Sequence, residues 1–439
     1  MRAVDIIAQK RDGHHLTAEE IDFFVQGFTR GEIPDYQAAA LLMAIYLKGM
    51  SARETADLTM SMAHSGRMLD LSAIAPFVVD KHSSGGVGDK TTLLVAPLVA
   101  ATGLPVGKIS GRGLGFTGGT LDKLESIPGF KADLSAEEFM ATLHDYGIVV
   151  VGQTDDMVPA DGKFYALRDV TATVSNISLI ASSIMSKKIA GGANAIVLDV
   201  KVGLGAFMQT MEEAMALAHA MVDIGKALGR RVTAVISDMN QPLGQAVGNA
   251  LELKEAIVTL HGHGPTDFLD HCLVIASQIL LLADRVQDAQ EAHELLLHEL
   301  DSGHAWHKFR DWIIGQGGDE GYIDDPSQLP QATLAEDLPS PRSGYIAGLN
   351  AMEVGLTAAL LGGGRTRKED PIDHAVGVVL AKKIGDYVKK GESLLTIHAN
   401  DEQKLTHARQ RLLDAYSWSD DSVKRPPLIH HIISAETQS

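Results

Sequence analysis

Two stretches of the chain combine glycines with lysines and hydroxyl side chains. The first is Lys81-His82-Ser83-Ser84-Gly85-Gly86-Val87-Gly88-Asp89-Lys90-Thr91-Thr92; the second runs from Lys108 through Ser110-Gly111-Arg112-Gly113-Leu114-Gly115 and Gly118-Gly119-Thr120 to Lys123. Glycines without Cβ atoms let backbone N–H groups turn toward one point, and Lys, Ser and Thr add donors, so the chemistry on offer is capture of an anion, phosphate first. The first stretch is not a P-loop, because Asp89 separates Gly88 from Lys90 and a carboxylate in a triphosphate cradle repels its ligand. The spacing Gly113-x-Gly115-x-x-Gly118 suits a dinucleotide loop, but Ser110, Gly111 and Arg112 intervene after the strand, and that triplet alone is weak. Two plain tight turns are the competing reading; the cations and hydroxyls in both stretches count against it.

A third group, Tyr165, Arg168, Ser183, Lys187 and Lys188, lies downstream. Ser183 and Lys187 are four residues apart, which puts them on one face of a helix within reach of a shared ligand. Taken alone, Arg168 and Lys187 read as solvated surface cations. With anion loops upstream, they read as a second set of donors.

These groups need a large scaffold, and 439 residues predict two or three domains. Lys+Arg 38 against Asp+Glu 56 gives a net charge of -18, which opposes general attraction to nucleic acid or anionic membrane. An anionic substrate therefore needs a local basic site. The single Cys272 excludes an internal disulfide framework and reads as a small buried hydrophobe. No signal peptide or membrane span is expected, and the expected location is cytoplasmic. His261, His263 and His271 cluster near Cys272, but Gly262 and Gly264 signal a turn and no further ligands complete a zinc site.

The expected organisation alternates helical and α/β segments: 1–66 helical, 75–155 α/β, 161–192 helical again, 193–330 α/β, and 340–439 a C-terminal α+β unit. Thr17 with Glu20, Ser51 with Glu54 and Ser135 with Glu138 match the capping box. Pro34 opens a helix whose face Ala38-Ala39-Ala40-Leu41-Leu42-Met43 wants a later helical segment or a second subunit to pack on. Strands are expected near 77–79, 104–109, 148–151, 195–200 and 232–236, and helices over 161–174, 178–190, 211–228 and within 248–315. Residues 326–341, rich in Pro, Asp and Gln, read as a linker. Beyond it, short strands at 377–380 and 394–397 flank a hairpin-like 385–392 and resemble the barrel-sandwich fold of biotinyl and lipoyl carriers, without a carrier lysine. The fold class is α/β: a helical domain, an α/β domain with a mixed central sheet, and a β-rich barrel-sandwich-like C-terminal domain.

The run Ser110-Gly111-Arg112-Gly113-Leu114-Gly115-Phe116-Thr117-Gly118-Gly119-Thr120-Leu121-Asp122-Lys123-Leu124-Glu125-Ser126-Ile127-Pro128-Gly129 resembles the signature of the thymidine and pyrimidine-nucleoside phosphorylase family. Lys81-His82-Ser83, Phe164-Tyr165-Ala166-Leu167-Arg168-Asp169 and Asp199-Val200-Lys201-Val202-Gly203 are similar to it as well, and the likeness runs through the whole chain. The resemblance implies a homodimer joined through the helical domain, and reversible phosphorolysis of pyrimidine nucleosides with inorganic phosphate as co-substrate and no organic cofactor. It implies phosphate ligands Lys81, Ser83, Thr92, Lys108, Ser110 and Thr120. Arg168, Ser183 and Lys187 would read the base, Tyr165 and Leu114 would line the pocket, and His82, Arg168 and Lys187 would act in catalysis. Because the two half-sites lie on different segments, closure of one domain over the other is expected to assemble them.

A monovalent cation site is implied too, with Gly88, Lys90, Leu243, Ala246 and Glu255 as potassium ligands. Only Glu255 among these offers an anionic side chain, and Lys90 either coordinates through its carbonyl or replaces the ion with its ammonium. Lys108 resembles the broad-specificity branch more than the thymidine-restricted one. Phosphoribosyl transfer would need acidic residues for a magnesium-pyrophosphate site. A non-catalytic phosphate or nucleoside binder would lack the base-side donors.

Overall fold

The structure is a computed structural model that describes all residues except 114, 154–155, 366–369 and 435–439. Four helices, Ala3–Arg11, Ala18–Thr29, Asp35–Lys48 and Ala52–Ala63, form the N-terminal segment. The expected capping boxes are closed in both directions at Thr17, Ser51 and Ser135. These helices share a core with two distant ones, Pro159–Val170 and Ile177–Ala190, through residues such as Phe24, Phe28, Leu42, Phe164 and Met185. Phe28 and Phe164 meet with ring centroids 4.8 Å apart. The helix expected over 161–174 stops at Val170, and Ala172 beyond it adopts φ 55°.

Thirteen strands follow in chain order among the described residues. They are β1 (Val79–Ser83), β2 (Val106–Ile109), β3 (Ile148–Val151), β4 (Ala195–Val202), β5 (Arg231–Asp238), β6 (Ala246–Val247), β7 (Leu334–Pro339), β8 (Gly344–Leu349), β9 (Gly377–Leu380), β10 (Tyr387–Val388), β11 (Ser393–Ala399), β12 (Tyr416–Ser419) and β13 (Ile429–Ser434). The main sheet has the order β13-β5-β4-β1-β2-β3. β1 to β5 are parallel and β13 runs antiparallel to β5, so the sheet is mixed. β2, β3 and β4 are buried along their whole length, which is why they read as near-continuous apolar runs whose charged members, Lys108, Asp199 and Lys201, stand out. The carboxyl ends of β1 and β2, neighbours at the centre, release the two glycine loops side by side. In open parallel sheets that is where ligands bind.

Helices Thr91–Ala101, Asn249–Leu260, Thr266–Leu282, Ala289–Asp301 and His304–Gly315 build the large core around Phe268, Cys272, Phe309 and Trp312. Cys272 is buried, in line with its reading as a small buried hydrophobe.

The C-terminal part departs from the expected boundaries. The presumed linker contains β7, which pairs with β11 from Leu334 to Pro339. β6, from the α/β segment, joins the four-stranded C-terminal sheet β6-β9-β11-β7, while β13 crosses back to cover the edge of β5. The two domains thus exchange strands, and neither sheet is closed without the other's segment.

Candidate active site

Lys81 points from β1 into a buried cluster of charge. Its Nζ lies 3.5 Å from Asp199 Oδ2 and 3.9 Å from Asp89 Oδ1 and donates to Thr91 Oγ1. Register explains the first contact, since β1 pairs with β4 so that Ser83 stands opposite Asp199. Asp199 also receives Lys201 Nζ at 2.7 Å, His271 Nε2 at 2.9 Å and Ser237 Oγ at 2.7 Å. Burial works against its charge, but Lys201, His271 and Lys81 more than offset this and hold the carboxyl well below the usual range. Asp89, the residue that breaks the P-loop pattern, is turned into its own loop: Ser83 Oγ donates to one oxygen, and Thr91 Oγ1 to the other at 2.6 Å.

The second loop is fastened to the first by a buried lysine. Lys123 Nζ donates to Asp89 O at 2.9 Å and Gly118 O at 3.2 Å, and pairs with Glu252 at 3.0 Å. The loop folds back on itself so closely that a Cβ at Gly119 would lie 2.2 Å from the nitrogen of Gly113. Arg112 braces this turn through Glu125 at 2.5 Å and Asp122 at 3.5 Å. Lys108, from β2, donates to Lys81 O and lies 3.7 Å from Asp80. Burial, then the charge of Lys188, pushes its ammonium well below the usual lysine range. Ser110 follows β2, Thr92 sits in the first turn of the helix Thr91–Ala101, and Thr120 opens Thr120–Leu124. Lys81 and Ser83 thus lie on β1 and Lys108 on β2, with Thr92, Ser110 and Thr120 on the segments that follow these strands.

The helical body meets these loops through Lys188, whose Nζ reaches Asp80 at 2.8 Å and Ile109 O at 2.7 Å. One residue earlier on the same helix, Lys187 Nζ donates to Asp161 and, at 3.0 Å, to Ser183 Oγ. Burial lowers the Lys187 pKa, with Asp161 opposing. Arg168 spends three N–H groups on the carbonyls of Thr173, Val174 and Leu179, at 3.3, 2.6 and 3.1 Å. Two of its five remain. Tyr165 lies under its guanidinium, 5.9 Å from ring centroid to Cζ. Leu114 lies outside the described residues.

His82 follows Lys81 on β1. Burial first, then the charges of Lys188, Lys108, Lys187 and Lys81, drives its pKa well below the ordinary histidine value. These influences favour the neutral form of the His82 imidazole in the unliganded protein.

The residues expected to hold potassium do converge, but around a side chain. Lys90 Nζ donates to the carbonyls of Gly88, Leu243 and Ala246 at 3.0, 2.9 and 3.0 Å and pairs with Glu255 at 2.8 Å. The oxygen set suits a monovalent cation, yet its centre is occupied by the ammonium, so the residues do not fit a separate ion. No group of three or more His, Cys, Asp or Glu placed to hold a metal occurs among the described residues.

Asp80, Asp161, Glu252 and His271 had no assigned role from sequence. Asp80 adjoins the first loop and was within reach of pattern reading. His271 was not, because it meets Lys201 from 70 residues away.

Profiles of known families match most of the chain: the helical bundle domain of a glycosyl transferase family over residues 4–66, the a/b domain of that family over 75–306, and the pyrimidine nucleoside phosphorylase C-terminal domain over 345–419. The pyrimidine-nucleoside phosphorylase of Geobacillus stearothermophilus is 55% identical over 434 residues, covering 99% of this chain and 100% of its own length. That of Staphylococcus aureus (strain bovine RF122 / ET3-1) is 55% identical over 434 residues, with the same coverage. The chain belongs to the pyrimidine-nucleoside phosphorylase family. Among solved structures, anthranilate phosphoribosyltransferase from Thermus thermophilus shares the fold, with TM-score 0.60 and 20% identity over 71% of this chain and 99% of its own. Within the pyrimidine-nucleoside phosphorylase family, then, the buried lysines and aspartates described above are the groups that shape this member's loops.

Proposed function

We propose that this chain catalyses reversible phosphorolysis of pyrimidine nucleosides, uridine, thymidine and deoxyuridine among them. A phosphate oxygen attacks C1′, the bond from C1′ to the base nitrogen breaks with its electron pair going to the base, and pentose 1-phosphate forms with inversion. The observation that carries the reading is the contact of Lys188 with Asp80 and Ile109 O, which sets the helix of Ser183 and Lys187 against the strands that carry Lys81 and Lys108. A dianion and a departing anionic heterocycle need that opposition of donors, with the sugar between them.

Phosphate is met by Lys81, Lys108 and the hydroxyls of Ser83, Thr92, Ser110 and Thr120. Lys187, Ser183 and the free N–H groups of Arg168 take the charge that grows on the base. Each charge-assisted hydrogen bond contributes roughly 1.5–3 kcal/mol, and donors fixed before the reaction cost no reorganisation during it. His82 donates a hydrogen bond to the base as a neutral imidazole. Phosphate binding, by adding negative charge nearby, raises its pKa and eases proton transfer. Neither an organic cofactor nor a covalent nucleophile is required. Closure turns about the Lys188 contact with Asp80, where the helical body already touches the loops.

Incubation with uridine or thymidine, with and without inorganic phosphate, tests the reading by release of free base. Release from both nucleosides, only when phosphate is present, is expected. Release from thymidine alone would narrow the activity to deoxynucleosides, and no release from either would sink it.

The homodimer belongs to the same proposal. On the helix Asp35–Lys48, Tyr36 and Leu47 are 74% and 70% exposed, and Met43 shares their face. Such a stripe suits a second copy, and Leu47→Glu is expected to shift sedimentation from dimer to monomer. No helix among the described residues is long and apolar enough to cross a membrane; a cytoplasmic location is part of the proposal.

A further inference from the structure

The lysine at the centre of the oxygen cage invites a specific inference. Lys90 caps the helix Thr91–Ala101 and its side chain is wholly buried, yet it meets three carbonyl oxygens and one carboxylate, all within 3.0 Å. An oxygen-only shell made mostly of backbone carbonyls is what a bare monovalent cation takes, and an ammonium is close to potassium in size and charge. The shell is also closed tightly. A Cβ at Gly88 would lie 2.6 Å from Leu243 O, and one at Gly244 would lie 2.1 Å from Glu255 Oε1 and 3.0 Å from Lys90 Nζ. Both glycines hold positive φ, 70° and 69°, so the backbone reaches this approach without strain. The Phe268 ring, 5.2 Å from Nζ, closes another side. Burial opposes the ammonium's charge, but Glu255 and Glu252 more than compensate, and its pKa stands above the ordinary lysine value.

The cage joins the first glycine loop to the segment that leads into the C-terminal sheet. Gly88 belongs to the first glycine loop. Leu243 and Ala246 belong to the segment that enters the C-terminal sheet as β6, and Lys383 of the C-terminal domain donates to Pro242 O and Gly244 O of that same segment. Whatever cation fills the cage therefore fixes the anion loop against the C-terminal domain.

We propose that Lys90 is a covalently tethered replacement for a monovalent cation, so that this protein needs no added potassium and becomes potassium-dependent when the lysine is replaced by a short neutral side chain. The inference stands apart from the phosphorolysis reading, because its readout is stability. The full chain is unfolded thermally in potassium chloride and in tetramethylammonium chloride at equal ionic strength. The wild type is expected to differ by less than about 1 °C between the two salts, since no ion binds the native state preferentially. Lys90→Thr is expected to unfold several degrees lower in tetramethylammonium and to recover most of that loss in potassium. Lys90→Met, whose side chain still fills the space, is expected to stay low in both. A wild-type Tm that rises with potassium overturns the proposal even if neither variant folds, and so does a Lys90→Thr protein that folds but ignores potassium.

Discussion

Replacing Lys187 with alanine separates two roles of one ammonium. In the unliganded protein Lys187 serves Asp161, which is buried and whose Oδ1 has no hydrogen-bond partner. In turnover the same ammonium is assigned to the leaving base. Loss of one charge-assisted hydrogen bond made in the transition state is worth roughly 1.5–3 kcal/mol, or about a 10- to 150-fold fall in kcat/KM. Leaving a buried carboxylate without its counter-ion costs about 3–5 kcal/mol unless the carboxyl takes up a proton. Lys187→Ala should therefore lower both kcat/KM and Tm. The double variant Lys187→Ala/Asp161→Asn removes the stranded charge, so Tm should recover while kcat/KM stays low. Phosphate binding by titration calorimetry should survive in both, because the phosphate loops draw nothing from Lys187. The reasoning is refuted if Lys187→Ala turns over uridine within about twofold of the wild type, well short of the loss worked out above. It is refuted too if the double variant regains activity along with stability, since Lys187 would then be only a brace for Asp161.

The histidines predict a pH dependence. His82 and His271 both have pKa values depressed in the folded state, by burial first and then by lysines. Below about pH 6.5 the unfolded chain binds protons that the folded one refuses, so stability is flat above that pH and falls beneath it, by up to ~1.4 kcal/mol per pH unit per histidine. His82→Gln should lessen the slope measured by unfolding between about pH 5 and 8; an unchanged slope would remove His82 from this account. In NMR titrations the His82 pKa should move upward when inorganic phosphate is added. Lys123→Met strands Glu252 and unties the glycine loops, so a loss of about 3–5 kcal/mol together with weaker phosphate binding is expected; weakened stability with unaltered phosphate affinity would confine Lys123 to the core. Gly119→Ala places a methyl against the backbone of Gly113 and should abolish phosphate binding while leaving the helical domain's circular dichroism intact.

Features that depend on residues a few positions apart were legible without coordinates. The capping boxes at Thr17, Ser51 and Ser135 are closed by a residue three positions on, so chain order alone states the contact. The fully buried strand Ile148–Val151 shows itself as an unbroken apolar run for the same local reason. The pair Ser183 and Lys187 belongs here too, since spacing on a helix fixes which side chains share a face.

Contacts between remote segments were decided only in three dimensions. The exchange of β6 and β13 between sheets rests on edges that two short strands cover, and a two-residue or six-residue run carries no record of its partner. β7 was hidden because its half-exposed pattern resembles a linker until β11 lies beside it. Sequence placed Lys90 among cation ligands, but only folding put its ammonium at their centre, because three of the four oxygens around it are backbone carbonyls that every residue possesses. His82 shows the same division: its identity is local, whereas the lowering of its pKa comes from burial and from four lysines that only folding brings near.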